Sequence, residues 1–132
     1  YIDTGVPHAV VTTGDVGRFD LEVLGPKIRY HETFAPDGVN VNAIGLSPEG
    51  AIQIRTYERG VEAETLACGT GAVAAAVTAF LKRSVTLPVT LVPLSGAPLV
   101  VRFNPAQAIT DVTLEGDARI IYRGMLNPEA LD

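Results

Sequence analysis

The sequence predicts an α+β domain, a mainly antiparallel sheet wrapped around one central helix. Two observations carry that expectation. Many short β-branched runs are bounded by Pro, Gly, Asn or Asp, and one stretch of small apolar residues runs from about Gly69 to Arg83. Strands and helices do not alternate along the chain, which argues against a doubly wound parallel sheet. At 132 residues, with 47% hydrophobic and 19% charged residues, the chain has the size and composition of one globular domain with a genuine core. A net charge of −5 argues against a general nucleic-acid binder and against attraction to anionic membranes. The single cysteine, Cys68, allows no internal disulfide and fits a reducing, cytoplasmic setting.

Taken in order, Tyr1-Ile2-Asp3-Thr4-Gly5 lacks the basic start and apolar run of a signal peptide. Thr4 to His8 reads as a tight turn leading straight into a strand, His8 to Thr13, as though the chain were a piece of a longer protein. A short amphipathic helix is expected within Phe19 to His31, with Asp20 as N-cap and Leu21, Leu24 and Ile28 on one face, interrupted by Gly25-Pro26. After a turn at Phe34 to Gly38, Val39 to Leu46 alternates like a strand but carries Asn40 and Asn42 two residues apart. Asn is disfavoured in strands, so the pair reads either as amides lining a pocket or as an edge strand or bulge. A turn at Ser47 to Gly50 and a half-buried strand, Ala51 to Tyr57, complete a hairpin, and a long loop leads on to Gly69. Beyond the helix, strands are expected at Val85 to Leu94, Pro98 to Phe103, Ile109 to Glu115 and Ala118 to Arg123, the last two joined by a hairpin turn at Glu115-Gly116-Asp117. The Ala67 to Leu81 stretch is short for a bilayer span and reads as a buried helix.

The chemistry gathers where the Gly-rich turn enters that helix. The first helical N–H groups have no intrahelical partner, and together with the helix dipole they favour an anion, either a carboxylate or a thiolate. Gly69 and Gly71 allow a ligand close to the backbone. Thiols placed at helix amino ends ionise more readily than free ones, which makes Cys68 the candidate for reactivity; the plain alternative is a packed, inert cysteine. Glu58 and Arg59 sit close in sequence, and a solvated loop is their ordinary reading. His8 stands at the mouth of the first strand without metal-ligand spacing around it. Gly69-Thr70-Gly71-Ala72-Val73-Ala74 matches G-x-G-x-x-G/A, but no strand immediately precedes it and no acidic residue ends the next strand. Phosphatase and Walker-type loops lack their Arg and Gly-Lys-Ser/Thr, and a hydrolase pair of Cys68 with His8 has no family spacing behind it.

Three blocks, Gly5-Val6-Pro7-His8, Gly38-Val39-Asn40-Val41-Asn42, and Tyr57-Glu58-Arg59-Gly60 running on to Glu64-Thr65-Leu66-Ala67-Cys68-Gly69-Thr70-Gly71-Ala72, together resemble the carboxy-terminal half of the diaminopimelate epimerase family. The resemblance covers essentially the whole chain. It implies a cofactor-independent, metal-free enzyme converting LL- to meso-diaminopimelate, built from two similar domains with the site in the cleft between them. Each domain supplies one catalytic cysteine, and Cys68 matches the second. Gly69 and Thr70 match backbone amides holding the reacting carboxylate. Glu58 and Arg59 match substrate contacts, Arg59 toward the distal carboxylate; Asn40 matches a distal contact and His8 a polar group near the cysteines, and the resemblance implies that Glu58 and His8 join Cys68 as catalytic residues. Val6 departs from members with Asn in that turn, and the Gly60 to Glu64 loop varies in length among them. The resemblance further implies a homodimer and a missing amino-terminal domain. With one cysteine, the chain is expected to fold alone but not to epimerise. The related racemases and isomerases of the same architecture, or a non-catalytic carboxylate-binding domain, are the competing expectations.

Overall fold

The computed structural model describes residues 1–130. Eight strands form one curled sheet: β1 (Ile2–Asp3), β2 (Pro7–Thr12), β3 (Asn40–Leu46), β4 (Ile52–Glu58), β5 (Ala63–Thr65), β6 (Val89–Val92), β7 (Leu99–Asn104) and β8 (Thr110–Glu115). Their order is β1-β2-β3-β4-β6-β7-β8, with β5 paired to β4. The β2–β3 and β4–β6 pairs are parallel and the others antiparallel, so the mainly antiparallel α+β expectation holds. Each parallel pair is bridged by one helix, α1 (Leu21–Arg29) or α2 (Gly69–Leu81).

Helix α2 is the element the sheet wraps. Its Ala72, Ala74, Ala75, Ala76 and Ala79 are buried, and such short side chains let strands approach from several directions at once. Strand alternation supplies the partners, because side chains two apart share a face. Ile44 of β3, Ile52 and Ile54 of β4, Val89 and Leu91 of β6, and Val101 and Phe103 of β7 form one core with the helix. The Phe80 and Phe103 rings close it edge to face at 5.2 Å. The intervening residues Val41 and Tyr57 point to the opposite face and pack with Leu21 of α1.

Helix α1 begins where expected, with the Asp20 carboxylate accepting from Val23 N–H at 3.2 Å. It runs through Pro26 instead of breaking there. Proline removes one bond, to the carbonyl of Glu22, and Glu22 lies on the exposed side where solvent can serve that oxygen. The buried face is Leu21, Gly25 and Ile28; Leu24 is exposed, contrary to expectation. Gly25 is there because a Cβ would stand 2.7 Å from the Tyr57 ring.

Other expectations are corrected. The Tyr57–Gly69 segment contains β5, antiparallel to β4 and tied to it by Arg55, whose guanidinium donates to both Glu64 carboxylate oxygens at 2.7 and 2.6 Å. β6 is shorter than Val85 to Leu94 because Pro88 and Pro93 bracket it and cannot donate to a ladder. Residues Ala118 to Arg123 form no strand and Glu115 to Asp117 no hairpin turn; Ile120, Ile121 and Tyr122 are exposed, with no neighbouring strand to pair with. Among the described residues no helix is long and apolar enough to cross a membrane.

Candidate active site

On the α2 side of the sheet, the apolar alternation of β3 and β4 gives way to polar residues toward the amino end of the helix. β3 reads Asn40, Asn42, Ile44 on that face, and β4 reads Ile52, Ile54, Thr56, Glu58. Parallel pairing sets His8 of β2 beside Asn40, and antiparallel pairing sets Thr56 opposite Asn42. β3 is an interior strand and both asparagines are buried, so the edge-strand reading of the Asn pair is overturned.

Cys68 is the N-cap of α2, with extended backbone. Its Sγ accepts from Gly71 N–H at 3.4 Å and lies 3.5 Å from Thr70 Oγ1. A thiol sulfur therefore stands where capping oxygens usually stand. The N–H groups of Gly69 and Thr70, the next two on the helix, have no acceptor among the described residues. Gly71 is a close-approach position: a Cβ there would lie 2.4 Å from Asn42 Oδ1 and 3.3 Å from Cys68 Sγ.

Behind the cysteine runs a buried polar chain. Thr56 Oγ1 donates to Asn42 Oδ1 at 3.0 Å, and Asn42 Nδ2 lies 3.0 Å from His8 Nδ1 and 3.3 Å from the Ala9 carbonyl. His8 Nε2 in turn lies 3.1 Å from Thr70 Oγ1. Burial pushes the His8 imidazole down to about 4, with Arg59 acting in the same direction and Asp3 opposing. The ring is therefore neutral at physiological pH.

The other candidates sit nearby with different engagements. Asn40 is occupied by backbone: its Nδ2 donates to the Pro7 carbonyl at 3.1 Å and its Oδ1 accepts from Arg59 N–H at 2.8 Å. Glu58 ends β4 half-buried, two residues beyond Thr56 and so on the same face. The Arg59 side chain borders an open groove of about 640 Å³ with Asp3, Phe34, Asp37 and Gly38. A second open groove, about 500 Å³ and mostly apolar, reaches Gly69 and Thr70 from Val73, Val112 and Leu114. Cys68 is half-buried and lines neither groove. Among the described residues no group of three His, Cys, Asp or Glu side chains could hold a metal.

The structure thus gathers Cys68, Gly69, Thr70 and His8 at one helix end, and leaves Asn40, Glu58 and Arg59 along the adjoining strand end. Sequence reasoning offered Asn42 only as one of two amides lining a pocket, and assigned no role to Thr56 or to the Thr70 hydroxyl. The signal available was the strand alternation placing Asn40, Asn42, Thr56 and Glu58 on one face.

A family model described as diaminopimelate epimerase matches residues 1–120. A diaminopimelate epimerase of Aquifex aeolicus is 44% identical over 133 residues, covering 100% of this chain and 47% of that protein. One of Chlorobaculum tepidum is 43% identical, covering 96% of this chain and 49% of that protein. The chain therefore spans about half the length of these relatives. The solved structure of a Bacillus anthracis phenazine biosynthesis protein of the PhzF family aligns over 74% of this chain and 31% of its own, with a TM-score of 0.52 and 16% identity, a likeness of fold.

Proposed function

The chain belongs to the diaminopimelate epimerase family, and we propose that it is the carboxy-terminal catalytic half of a cofactor-independent enzyme interconverting LL- and meso-diaminopimelate. The observation that carries this reading is the seat of Cys68: a sulfur receiving Gly71 N–H beside two free helix N–H groups. An amino acid's α-proton is weakly acidic, so its removal needs the developing negative charge to be stabilised. The free Gly69 and Thr70 N–H groups, at the positive end of α2, suit the α-carboxylate on which that charge would gather.

In this reading a thiolate takes the α-proton, so the Cα–H bond breaks as an S–H bond forms, and the electron pair spreads into the carboxylate. A thiol on the opposite face then gives its proton to Cα with inverted configuration and is left as a thiolate. Cys68 serves one face, and the second cysteine comes from an amino-terminal domain. Arg59, with its guanidinium on the groove beside Asp37, suits the distal carboxylate. Glu58 and His8 are the polar groups flanking the reacting end, and Asn40 holds the Arg59 backbone in place. The complete protein is read as a cytoplasmic homodimer.

Following α-proton exchange of diaminopimelate in deuterated buffer tests this. The isolated chain should give no turnover, and the complete two-domain protein should give turnover that Cys68→Ala abolishes. Turnover by the isolated chain, or full activity of the Cys68→Ala protein, would refute the reading. Slow alkylation of Cys68 at neutral pH, like that of a buried inert thiol, would favour a non-catalytic carboxylate-binding domain.

A further inference from the structure

We infer that Asn42 is a positioning residue for Cys68, fixing the direction of a hydrogen-bond chain that ends with the Thr70 hydroxyl proton aimed at the sulfur. The inference deepens the acid/base reading of Cys68, and only its catalytic arm rests on that reading.

Its first step is the orientation of the Asn42 amide. The Ala9 carbonyl can only accept, so the amide atom 3.3 Å from it must be the NH2 group. The Thr56 hydroxyl at 3.0 Å from the other amide atom then donates to the oxygen. Since the same NH2 group faces His8 Nδ1 at 3.0 Å, that nitrogen must be the acceptor. A neutral imidazole accepting at Nδ1 carries its proton on Nε2.

That proton points at Thr70 Oγ1, 3.1 Å away. A hydroxyl that accepts there must direct its own hydrogen elsewhere, and the side chain within reach is Cys68 Sγ at 3.5 Å. Sulfur thus receives two donors, Thr70 O–H and Gly71 N–H. Two donors match a thiolate better than a thiol, which needs an acceptor for its own proton. Asn42 and His8 are both 0% exposed and Thr56 3%, so solvent does not compete for the bonds among these three; Thr70 itself is exposed and is tied to them through His8 Nε2. No substrate can touch Asn42; it acts through His8 and Thr70. The charged groups facing His8 are Asp3 and Arg59, and neither contacts Nδ1 within hydrogen-bond distance.

The test begins with the unaltered chain. Nitrogen-15 spectra of its two histidines, assigned with His31→Gln, should show His8 protonated at Nε2 alone; a proton at Nδ1 overturns the inference. Asn42→Asp places a carboxylate against Nδ1 and should make His8 doubly protonated near pH 7. A His8 still unprotonated at Nδ1 in that variant would also overturn it. Asn42→Leu removes the amide at similar volume, and should slow Cys68 alkylation at pH 7 by about tenfold, the scale of losing a hydrogen bond to a charged acceptor. An alkylation rate unchanged in a folded Asn42→Leu chain refutes the positioning role; if that variant does not fold, the first two measurements still decide.

In the complete protein, kcat should fall by a similar factor while KM stays constant, since a buried side chain makes no substrate contact. The spectra and alkylation need no substrate. If they agree while the complete protein fails to epimerise, the enzyme reading falls and the positioning role stands.

Discussion

Gly71→Ala sets two effects against each other, and the geometry says which prevails. Helix propensity alone favours alanine by about 1 kcal/mol. The added Cβ, however, would lie 2.4 Å from Asn42 Oδ1, so one of the two must move by about 1 Å to reach ordinary contact. Asn42 cannot yield without cost, because its amide is held by Thr56, His8 and Ala9. Overpacking a filled interior costs about 1–3 kcal/mol, and disturbing two buried hydrogen bonds adds about 1–3 kcal/mol. After the propensity gain, the net loss is about 3 kcal/mol, a fall in Tm on the order of 10 °C for a domain of this size. Thermal unfolding followed by circular dichroism gives the answer directly. A Gly71→Ala chain that melts at or above the parent temperature would show that the Asn42–Gly71 approach is not tight and that the polar chain behind Cys68 is loosely held.

Two further outcomes follow from buried polar groups. His8 ionises at about 4 in the fold against 6.5 in an unfolded chain, so as pH falls below 6.5 the unfolded chain takes up a proton that the fold refuses. Stability should decline from pH 6.5 to 4 by about 3 kcal/mol and level off below, and this component should be absent from the His8→Gln denaturation curves; pH slopes identical to the parent's would refute it. Arg55, with its Glu64 pair and its bonds to the Val16 and Phe19 carbonyls, is mostly buried, so Arg55→Met should cost about 2–3 kcal/mol in urea unfolding. The double variant Arg55→Met/Glu64→Leu should recover part of that loss, and strictly additive costs would show that the pair is not coupled.

What could be read in the letters was whatever depends on local pattern. Helix α2 was legible because an alanine-rich run without proline follows a glycine turn, and its cysteine because that same turn sets it at the helix amino end. The β3–β4 hairpin was legible from alternation on either side of a Ser-Pro-Glu-Gly turn. Features that depend on partners were not. Leu24 has the spacing of a core residue, yet Gly25 faces inward because the Tyr57 ring fills the space in front of it. β5 is three residues of mixed character, made a strand by Arg55 gripping Glu64. Residues 118–123 have every local mark of a strand and lack only a neighbour. Within the site, Cys68 and its glycines announced themselves. Thr56 did not, and Asn42 showed only as one of an out-of-place asparagine pair, because their partners arise from register across the sheet and not from neighbours in the chain.

The two-faced construction of β4 has a consequence for how such a protein can vary. Its even-numbered positions look toward the helix with the cysteine, and its odd-numbered positions, Arg55 and Tyr57, look toward α1. Maintenance of shape and conduct of chemistry are thereby sorted by parity along one ribbon, so drift on one side can proceed without consulting the other. A single-residue deletion within the ribbon would trade the two sets, sending a guanidinium and a phenol into the polar chamber and Thr56 out of it. Length, more than identity, is what this strand has to preserve.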